Sequence, residues 1–212
     1  MSLNCPLCLA DHSAFFWQDK RREYYQCGTC RLVFVPSQFH LSHHDEKNEY
    51  DKHQNTPEDQ GYRKFLSRLT QPLISKLAPA ARGLDFGCGP GPTLSVMLEE
   101  EGFHCSLYDI YYFPDKEMLN KTYQFITSTE VVEHLSKPGQ IFKQLYDILE
   151  PGGWLGLMTK RVIDKEAFAK WHYKNDPTHI SFFSDETFEW LAERYSMSLE
   201  FIASDVVLMR KR

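Results

Sequence analysis

The sequence predicts an α/β fold in which a small N-terminal zinc ribbon precedes a mostly parallel sheet with an antiparallel edge. Three observations support this fold class. Segments typical of strands and helices alternate through residues 82–159, a pattern that gives parallel strands with helices on both faces of the sheet. Two C-x-x-C pairs come before them. Residues 197–212 contain two short strands around a turn, which we expect to pair at one edge.

The composition is that of a globular protein, and it argues against several functional classes. Hydrophobic residues make up 42% and charged residues 25% of the 212 residues, and no apolar run approaches the roughly 18 residues of a membrane span. The formal net charge of -5 argues against a large nucleic-acid surface, because such surfaces are usually basic. The segment "MSLNCPLC" lacks the basic and apolar regions of a signal peptide, so we expect a cytoplasmic protein without membrane contact.

Residues 1–36 carry four cysteines with the spacing of two zinc knuckles: Cys5, Cys8, Cys27 and Cys30. Each C-x-x-C pair places two thiolates on one tight turn, and Zn²⁺ would join the two turns in a closed tetrahedron. A site with four sulfur ligands has no open coordination position, so the expected zinc is structural. The alternatives are four reduced free cysteines or, less favoured, a redox role for one pair.

Residues 37–60 are polar and show no apolar periodicity, which favours a linker or a mobile lid. The four histidines in this segment lack the spacing of a metal site, and we interpret them as solvated residues. They are His40, His43, His44 and His53. The apolar residues of the next segment, 61–77, recur at three- and four-residue spacing, as in an amphipathic helix. Pro72 is expected to kink this helix or to begin a second one. Residues 37–80 together are interpreted as one region, which contains a linker or lid followed by the amphipathic helix.

From residue 81 onward, strand-like and helix-like segments alternate. The expected strands are "RGLDFGC", "FHCSLYDI", "YQFITSTE" and "WLGLMTK", and the expected helices are "TLSVMLEEEG" and "GQIFKQLYDILEPGG". Ligands of such sheets bind beyond the carboxyl ends of the strands. The turn after the first of these strands is therefore expected to carry a ligand site.

That turn contains an acid followed by three alternate glycines, Asp85, Gly87, Gly89 and Gly91. Glycines at these positions allow unusual dihedrals and bring the backbone close to a ligand. The turn is not a P-loop, because no Gly-Lys is present, and it is not a dinucleotide fingerprint, because Pro92 stands where a glycine is required. A carboxylate beside the loop would repel a pyrophosphate and attract a cation.

The pattern D-x-G-x-G-x-G after a first strand resembles motif I of the class I S-adenosylmethionine-dependent methyltransferases. Residues 127–135, 149–159 and 171–191 resemble later segments of the same family, and the zinc knuckles resemble an N-terminal extension of some members. The resemblance covers about residues 82–212 and implies a Rossmann-like sheet that binds S-adenosylmethionine in a domain spanning 81–212.

The resemblance also implies which residues contact the cofactor. Asp85 and the three glycines would hold its methionine part, Asp109 would hold the ribose hydroxyls, and Glu130 would lie near the methionine part. One departure is the short distance from Asp109 to "YQFIT", about a dozen residues, where the family usually has a further helix, a third strand and an acid that contacts adenine. We therefore expect a sheet abbreviated around the third strand, with residues 111–113 as candidates to pack on adenine.

Two histidines are candidate general bases for methyl transfer, His134 first and His179 second, because both lie on segments expected to border the acceptor pocket. A structural hydrogen-bonding role is the alternative for each. Glu133 and His134 are not predicted to act together, since adjacent side chains on a helix point apart. Asp176 could orient His179 or could begin a turn.

The function expected from these observations is an S-adenosylmethionine-dependent methyltransferase for a small-molecule acceptor, with the ribbon and residues 37–80 shaping the pocket. One alternative is an RNA methyltransferase that holds nucleic acid with a basic patch on the ribbon, Lys20, Arg21 and Arg22. The other is a non-catalytic scaffold that only binds cofactor. The sequence contains no pattern that indicates an oligomeric state.

Overall fold

The computed structural model describes residues 3–52 and 55–212, and its N-terminal part is an antiparallel ribbon. The ribbon contains β1 (Ser13–Gln18), β2 (Glu23–Cys27) and β3 (Val33–Phe34), which pair in this order. The two cysteine turns lie at its base. The predicted small N-terminal sheet is therefore present.

Two helices follow the ribbon, where the sequence predicted one. The first, α1 (His43–Tyr50), begins at Ser42, whose hydroxyl accepts a hydrogen bond from the Asp45 amide. The second, α2 (Gln60–Ile74), begins at Asp59, whose carboxylate accepts from two backbone amides. The amphipathic helix is thus confirmed, but it continues through Pro72 in its last turn, and the expectation that a second helix begins there is wrong.

The rest of the chain forms a second sheet, the helices that cover it, and one short strand that pairs with the ribbon instead. Its elements are β4 (Arg82–Phe86), α3 (Thr93–Glu100), β5 (His104–Tyr108), β6 (Tyr123–Thr129), α4 (Pro138–Ile148), β7 (Leu149–Met158), α5 (Lys165–Lys170), β8 (Ser181–Phe182), α6 (Asp185–Arg194), β9 (Met197–Ala203) and β10 (Val206–Lys211). The six-stranded sheet has the order β5-β4-β6-β7-β10-β9. The first four strands are parallel, and β10 is antiparallel to both of its neighbours. The predicted α/β fold with an antiparallel edge is confirmed.

The sheet is shortened next to β5, as the sequence predicted. Between Asp109 and Tyr123 the chain forms an isolated bridge and a short 3₁₀ helix, Lys116–Asn120. In the described part of the chain, no strand pairs with the outer edge of β5. This leaves the segment after Asp109 free to turn towards the carboxyl ends of the strands.

Apolar side chains cover both faces of the six-stranded sheet. On one face, α2 and α3 bury leucines such as Leu69 and Leu98 near Phe125 of β6. On the other face, α4 and α6 bury Phe142 and Phe188 in a core that also contains three of the ribbon cysteines. Each such side chain contributes about 1.5–3 kcal/mol when fully buried. In the described ranges, no helix is both long and apolar enough to cross a bilayer.

The ribbon is joined to the rest of the protein by backbone pairing and close packing. Strand β3 pairs with β8, so that the ribbon strands form a four-stranded sheet, β1-β2-β3-β8. At the start of α4, the Gly139 amide donates to the Pro6 carbonyl oxygen at 3.3 Å. A Cβ atom at residue 139 would lie only 2.1 Å from the carbonyl oxygen of Leu7. The first cysteine turn and α4 therefore touch through their backbones.

We predict that Gly139→Ala lowers the free energy of unfolding by about 1–3 kcal/mol, because two backbones must separate to admit the methyl group. Urea unfolding measures this change. Gly61→Ala is the matched control, since its Cβ would meet only the Asp59 side chain, at 3.2 Å; its effect should stay below about 1 kcal/mol. Equal effects of the two substitutions would contradict close docking of the cysteine turn.

Candidate active site

A cavity of about 620 Å³ lies at the carboxyl ends of β4, β5 and β6, where α/β sheets bind their ligands. Its floor is the glycine loop, residues 87–91, and one wall is the segment 108–112. Helices α1 and α2 contribute its roof, and residues 129–136 close the far side. The volume is within the range of small-molecule and cofactor sites.

The three glycines of the loop are required for different reasons. Gly87 has a φ of +76°, and its Cβ would lie 2.4 Å from Val131. A Cβ at Gly91 would lie 1.9 Å from the carbonyl oxygen of Asn55. Gly89 has a φ of +66°, but within the described residues nothing lies within 4 Å of where its Cβ would be. The Gly89 backbone thus faces open space in the cavity, where a ligand can approach it closely.

The carboxylate of Asp109 connects the loop to the neighbouring wall. Its Oδ2 accepts from the Gly89 amide at 3.0 Å, and its Oδ1 accepts from the amides of Tyr111 and Tyr112 at 2.8 and 3.1 Å. Asp109 lines the cavity although it is mostly buried. A carboxylate oxygen accepts more than one hydrogen bond, so Asp109 keeps capacity for hydroxyl groups of a ligand.

Asp85 lies beneath the loop and is not among the residues that line the cavity. Its Oδ1 accepts from the Thr127 hydroxyl at 2.9 Å. Burial raises its pKa from the ordinary value of 3.8 to about 7, and the charge of Asp109 acts in the same direction. The sequence placed this acid against the ligand, whereas the structure places it one layer below.

Helix α1 is held over the cavity by polar contacts. The hydroxyl of Tyr111 donates to Glu46 at 2.7 Å, and the hydroxyl of Tyr112 donates to Asp51 at 2.7 Å. Tyr50, also of α1, packs edge-on against the His134 ring at a centroid distance of 5.2 Å. Two of the aromatic residues proposed as adenine contacts therefore line the cavity and also anchor its roof.

The described histidines of residues 37–60 do not form a metal cluster. His40 lies 2.8 Å from the Val35 carbonyl oxygen through its Nε2, and His43 is exposed at the cavity rim. In the described residues, neither belongs to a group of converging metal ligands, and the same holds for His44. His53 lies outside the described residues.

Two glutamates lie at the far side of the cavity, after β6, the first half-buried and the second fully buried. Glu130 lines the cavity, has a φ of +52°, and donates its amide to the Met158 carbonyl oxygen at 2.8 Å. Glu133 is fully buried and accepts a hydrogen bond from the Tyr173 hydroxyl. Burial raises the pKa of Glu130 to about 7 and that of Glu133 to about 8, the second also through repulsion from the first.

The two candidate bases lie together at this side. The rings of His134 and His179 are 4.7 Å apart, and both histidines line the cavity. Asp176 Oδ2 lies 3.8 Å from His179 Nε2, so the expected neighbour is present at a distance beyond hydrogen bonding. Burial lowers the pKa of His179, while Asp176 opposes that shift. A carboxylate oxygen of Glu133 lies within 4.8 Å of ring nitrogens of both histidines, a convergence that the sequence did not predict.

A family model described as "Methyltransferase domain" matches residues 59–198. The chain belongs to this methyltransferase family. The match covers α2, the glycine loop and the cavity wall, and it ends in β9. A comparison with curated proteins finds no match.

Solved structures share the fold of this methyltransferase domain. One is a SAM dependent methyltransferase from Archaeoglobus fulgidus, with a TM-score of 0.54, 18% identity, and coverage of 70% of this chain and 94% of that one. Another is magnesium protoporphyrin IX methyltransferase from Synechocystis PCC 6803 with bound SAH, with a TM-score of 0.54, 11% identity, and coverage of 82% and 96%. These likenesses confirm the predicted class I methyltransferase fold.

The four ribbon cysteines converge outside the cavity of the methyltransferase domain. The Sγ atoms of Cys5 and Cys30 are 3.4 Å apart, as are those of Cys8 and Cys27. All four sulfurs lie within 4.8 Å of one another, and none is in a disulfide. Four sulfurs at Zn–S distances of about 2.3 Å would be about 3.8 Å apart, so the arrangement suits one tetrahedral metal ion.

Arg22 of the ribbon is not part of an exposed basic patch. Its guanidinium is buried and donates to the carbonyl oxygens of Lys174, Asp176 and Pro177 at 2.6–3.1 Å. It thereby positions the loop that carries Asp176 and leads to His179. The sequence suggested Arg22 as a possible phosphate contact, whereas in the structure its guanidinium binds backbone carbonyl groups within the protein.

We predict that Asp85→Asn weakens the pH dependence of stability. Because the folded protein keeps a proton on Asp85 up to about pH 7, whereas the unfolded chain releases it near 3.8, the free energy of unfolding of the wild type falls as pH rises through this window. Asparagine resembles the protonated acid and keeps the Thr127 contact, so the variant should be more stable above pH 7, by on the order of 4 kcal/mol.

Urea unfolding across this pH range tests the prediction, with the exposed Asp147→Asn as control. Parallel pH profiles for wild type and Asp85→Asn would show that Asp85 is ionised in the folded protein at neutral pH.

Proposed function

We propose that this protein is an S-adenosylmethionine-dependent methyltransferase that acts on a small-molecule acceptor. The observation that carries the proposal is the open Gly89 backbone held beside Asp109 at the ends of β4 and β5. An approachable backbone and a carboxylate at this place suit a ligand that has both a flexible charged tail and ribose hydroxyls.

The residues of the cavity fit such a cofactor. Gly87, Gly89 and Gly91 form a floor without side chains, Asp109 offers carboxylate oxygens, and Glu130 adds a second carboxylate at the other end. Buried carboxylates stabilise positive charge in their surroundings, including that of Asp85 beneath the loop when it is ionised. S-adenosylmethionine supplies a methyl group on a positively charged sulfur.

The chain's own contribution to methyl transfer is to position and enclose the acceptor. Holding two reactants in line lowers the barrier by removing their translational freedom. The roof of α1, anchored by Tyr111 and Tyr112, limits access of water to the cavity. His134, with His179 second, is positioned to accept a proton from the acceptor if the reaction requires its removal.

A small-molecule acceptor is supported over RNA by two observations. Helix α1 crosses the cavity and narrows the space above the glycine loop, which suits a compact substrate. Arg22, one of the three residues of the basic patch that the sequence suggested on the ribbon, is buried among backbone carbonyl groups. The net charge of -5 agrees with this choice.

We further propose that the four cysteines bind one structural Zn²⁺. The four thiols converge, lack disulfides, and leave no position for a substrate. Three of them are fully buried in the core shared with α4 and α6, so the ion would connect the ribbon to the methyltransferase domain.

The first prediction of this proposal concerns cofactor binding. Calorimetric titration of the wild type with S-adenosylmethionine should show micromolar affinity, about -8 kcal/mol, and NAD should not bind. Asp109→Asn should weaken binding at least tenfold, because it removes a charged acceptor and loosens Gly89. Asp147→Asn on the exposed face of α4 should bind as the wild type does.

Absence of S-adenosylmethionine binding by folded protein would overturn the proposal. Binding without methyl transfer to any acceptor in a broad screen would instead favour a non-catalytic scaffold. If RNA strengthens the binding of S-adenosylmethionine, and RNA binding itself depends strongly on salt, the RNA methyltransferase alternative is favoured.

The second prediction concerns zinc. Cys8→Ser should lower the zinc content by one equivalent and reduce Tm by about 10 °C or more, because the metal stabilises only the folded ribbon. Cys105→Ser, a cysteine of β5 outside the cluster, should retain the wild-type zinc content. Unchanged zinc in Cys8→Ser, or a disulfide found by mass spectrometry, would contradict a zinc site made of these four cysteines.

A further inference from the structure

A second group of potential metal ligands lies inside the cavity. One carboxylate oxygen of Glu133 and one ring nitrogen from each of His134 and His179 lie within 4.8 Å of one another. In the described residues, the only other such group is the cysteine cluster. Glu133 and His134 belong to a short 3₁₀ helix after β6, whereas His179 comes just before β8, so the fold brings them together from distant parts of the chain.

Both histidines are oriented by backbone carbonyl groups. His179 Nδ1 lies 2.7 Å from the Tyr173 carbonyl oxygen, and His134 Nδ1 lies 3.3 Å from that of Thr178. A carbonyl oxygen only accepts hydrogen bonds, so Nδ1 is the donor in both of these contacts. Histidines that bind metals are commonly held in this way, with one nitrogen bonded to a carbonyl and the other on the ion.

Glu133 presents an unsatisfied buried oxygen. Its side chain is fully buried, Oε1 accepts from the Tyr173 hydroxyl, and Oε2 has no hydrogen-bond partner in the described part of the chain. Leaving a buried acceptor unpaired costs about 1–3 kcal/mol, and more if it is charged. Such an atom indicates that a group is missing from its surroundings.

Glu130, which lies near Glu133, also presents a buried oxygen without a described hydrogen-bond partner. Its Oε1 is buried without a partner among the described residues, and its Oε2 lies 3.3 Å from the same Tyr173 hydroxyl. Within the described ranges, 3–52 and 55–212, no lysine or arginine forms an ion pair with Glu130 or Glu133. Lys160 and Arg68 act on Glu130 only through longer-range charge. Two neighbouring carboxylates, each with a buried oxygen that lacks a hydrogen-bond partner, create a site that a positive ion would stabilise.

We infer that Glu133, His134 and His179 bind a divalent transition-metal ion that ligates a hydroxyl group of the methyl acceptor. Two imidazoles and one carboxylate suit Mn²⁺, Fe²⁺, Co²⁺ or Zn²⁺ and leave coordination positions open. These positions face the cavity, because both histidines line it. The inference rests on the proposed methyltransferase function and narrows its acceptor to an oxygen nucleophile.

The ion would change the role of the two histidines from proton acceptors to ligands. An acceptor hydroxyl bound to a divalent ion loses its proton to water more easily. The oxygen then forms a bond to the methyl carbon as the carbon–sulfur bond breaks, and the bonding pair stays on sulfur as a thioether. The released proton passes to solvent, so the step needs no further reactant.

Manganese binding tests the site separately from activity. Protein that holds one equivalent of zinc, the amount the cysteine cluster binds, is titrated with Mn²⁺, and the loss of the electron paramagnetic resonance signal of free Mn²⁺ should show one bound equivalent. Mn²⁺ prefers oxygen and nitrogen over thiolate ligands, so the cysteine cluster should not compete.

Glu133→Gln and His179→Ala should each weaken Mn²⁺ binding more than about tenfold, since even outer contacts of metal sites contribute this much. Glu133→Gln keeps the size of the side chain and its contact with the Tyr173 hydroxyl. The variant should therefore stay folded, so that weaker Mn²⁺ binding reports on the lost ligand. His104→Ala, an exposed histidine at the opposite end of β5, is the matched control and should bind Mn²⁺ as the wild type does.

The outcomes separate this inference from the proposed function. Protein that binds S-adenosylmethionine but no Mn²⁺, alone or with cofactor, overturns the metal site and leaves the methyltransferase proposal standing. Protein that binds Mn²⁺ but not S-adenosylmethionine overturns the proposed function and supports the metal site. Equal Mn²⁺ binding by Glu133→Gln, His179→Ala and the wild type overturns the assignment of these ligands.

Discussion

The Asp109 carboxylate is the contact on which the cavity depends. It accepts from the Gly89 amide with one oxygen and from two amides of the next segment with the other, so a single side chain sets the distance between floor and wall. The tyrosines whose amides it holds then bind α1 through their hydroxyls. The position of the floor, the wall and the roof of the cavity thus depends on this one side chain. Because the carboxylate is mostly buried, water competes little for its hydrogen bonds.

The second organising constraint is the concentration of buried acids around this cavity. Asp85, Glu130 and Glu133 all have pKa values raised by burial, and none forms an ion pair with a lysine or arginine among the described residues. Such an arrangement opposes folding as pH rises to neutrality, yet it favours ligands that bring positive charge. A sulfonium cofactor at one end of the cavity and a divalent ion at the other would each neutralise part of the negative charge of these acids.

The sequence predicted the sheet, its antiparallel edge, its shortened side and the cysteine cluster, because alternation of strands and helices, glycine spacing and cysteine spacing are local signals. It did not predict α1, whose contacts with the cavity wall are polar and leave no apolar periodicity. It placed Asp85 in contact with the ligand, since a linear motif does not show which side chains lie below a loop. It did not bring Glu133, His134 and His179 together, because their convergence joins one 3₁₀ turn with a residue 45 positions after His134.

The pairing of β3 with β8 has a consequence for how the chain assembles. The N-terminal ribbon gains its fourth strand from Ser181–Phe182, and Arg22 finds its acceptors in carbonyl groups more than 150 residues later. During synthesis, the ribbon leaves the ribosome before Ser181–Phe182 and must therefore wait for that later strand before its sheet is complete. Contacts of such long sequence separation slow folding, and metal capture by the cysteines would keep the early ribbon compact during this interval.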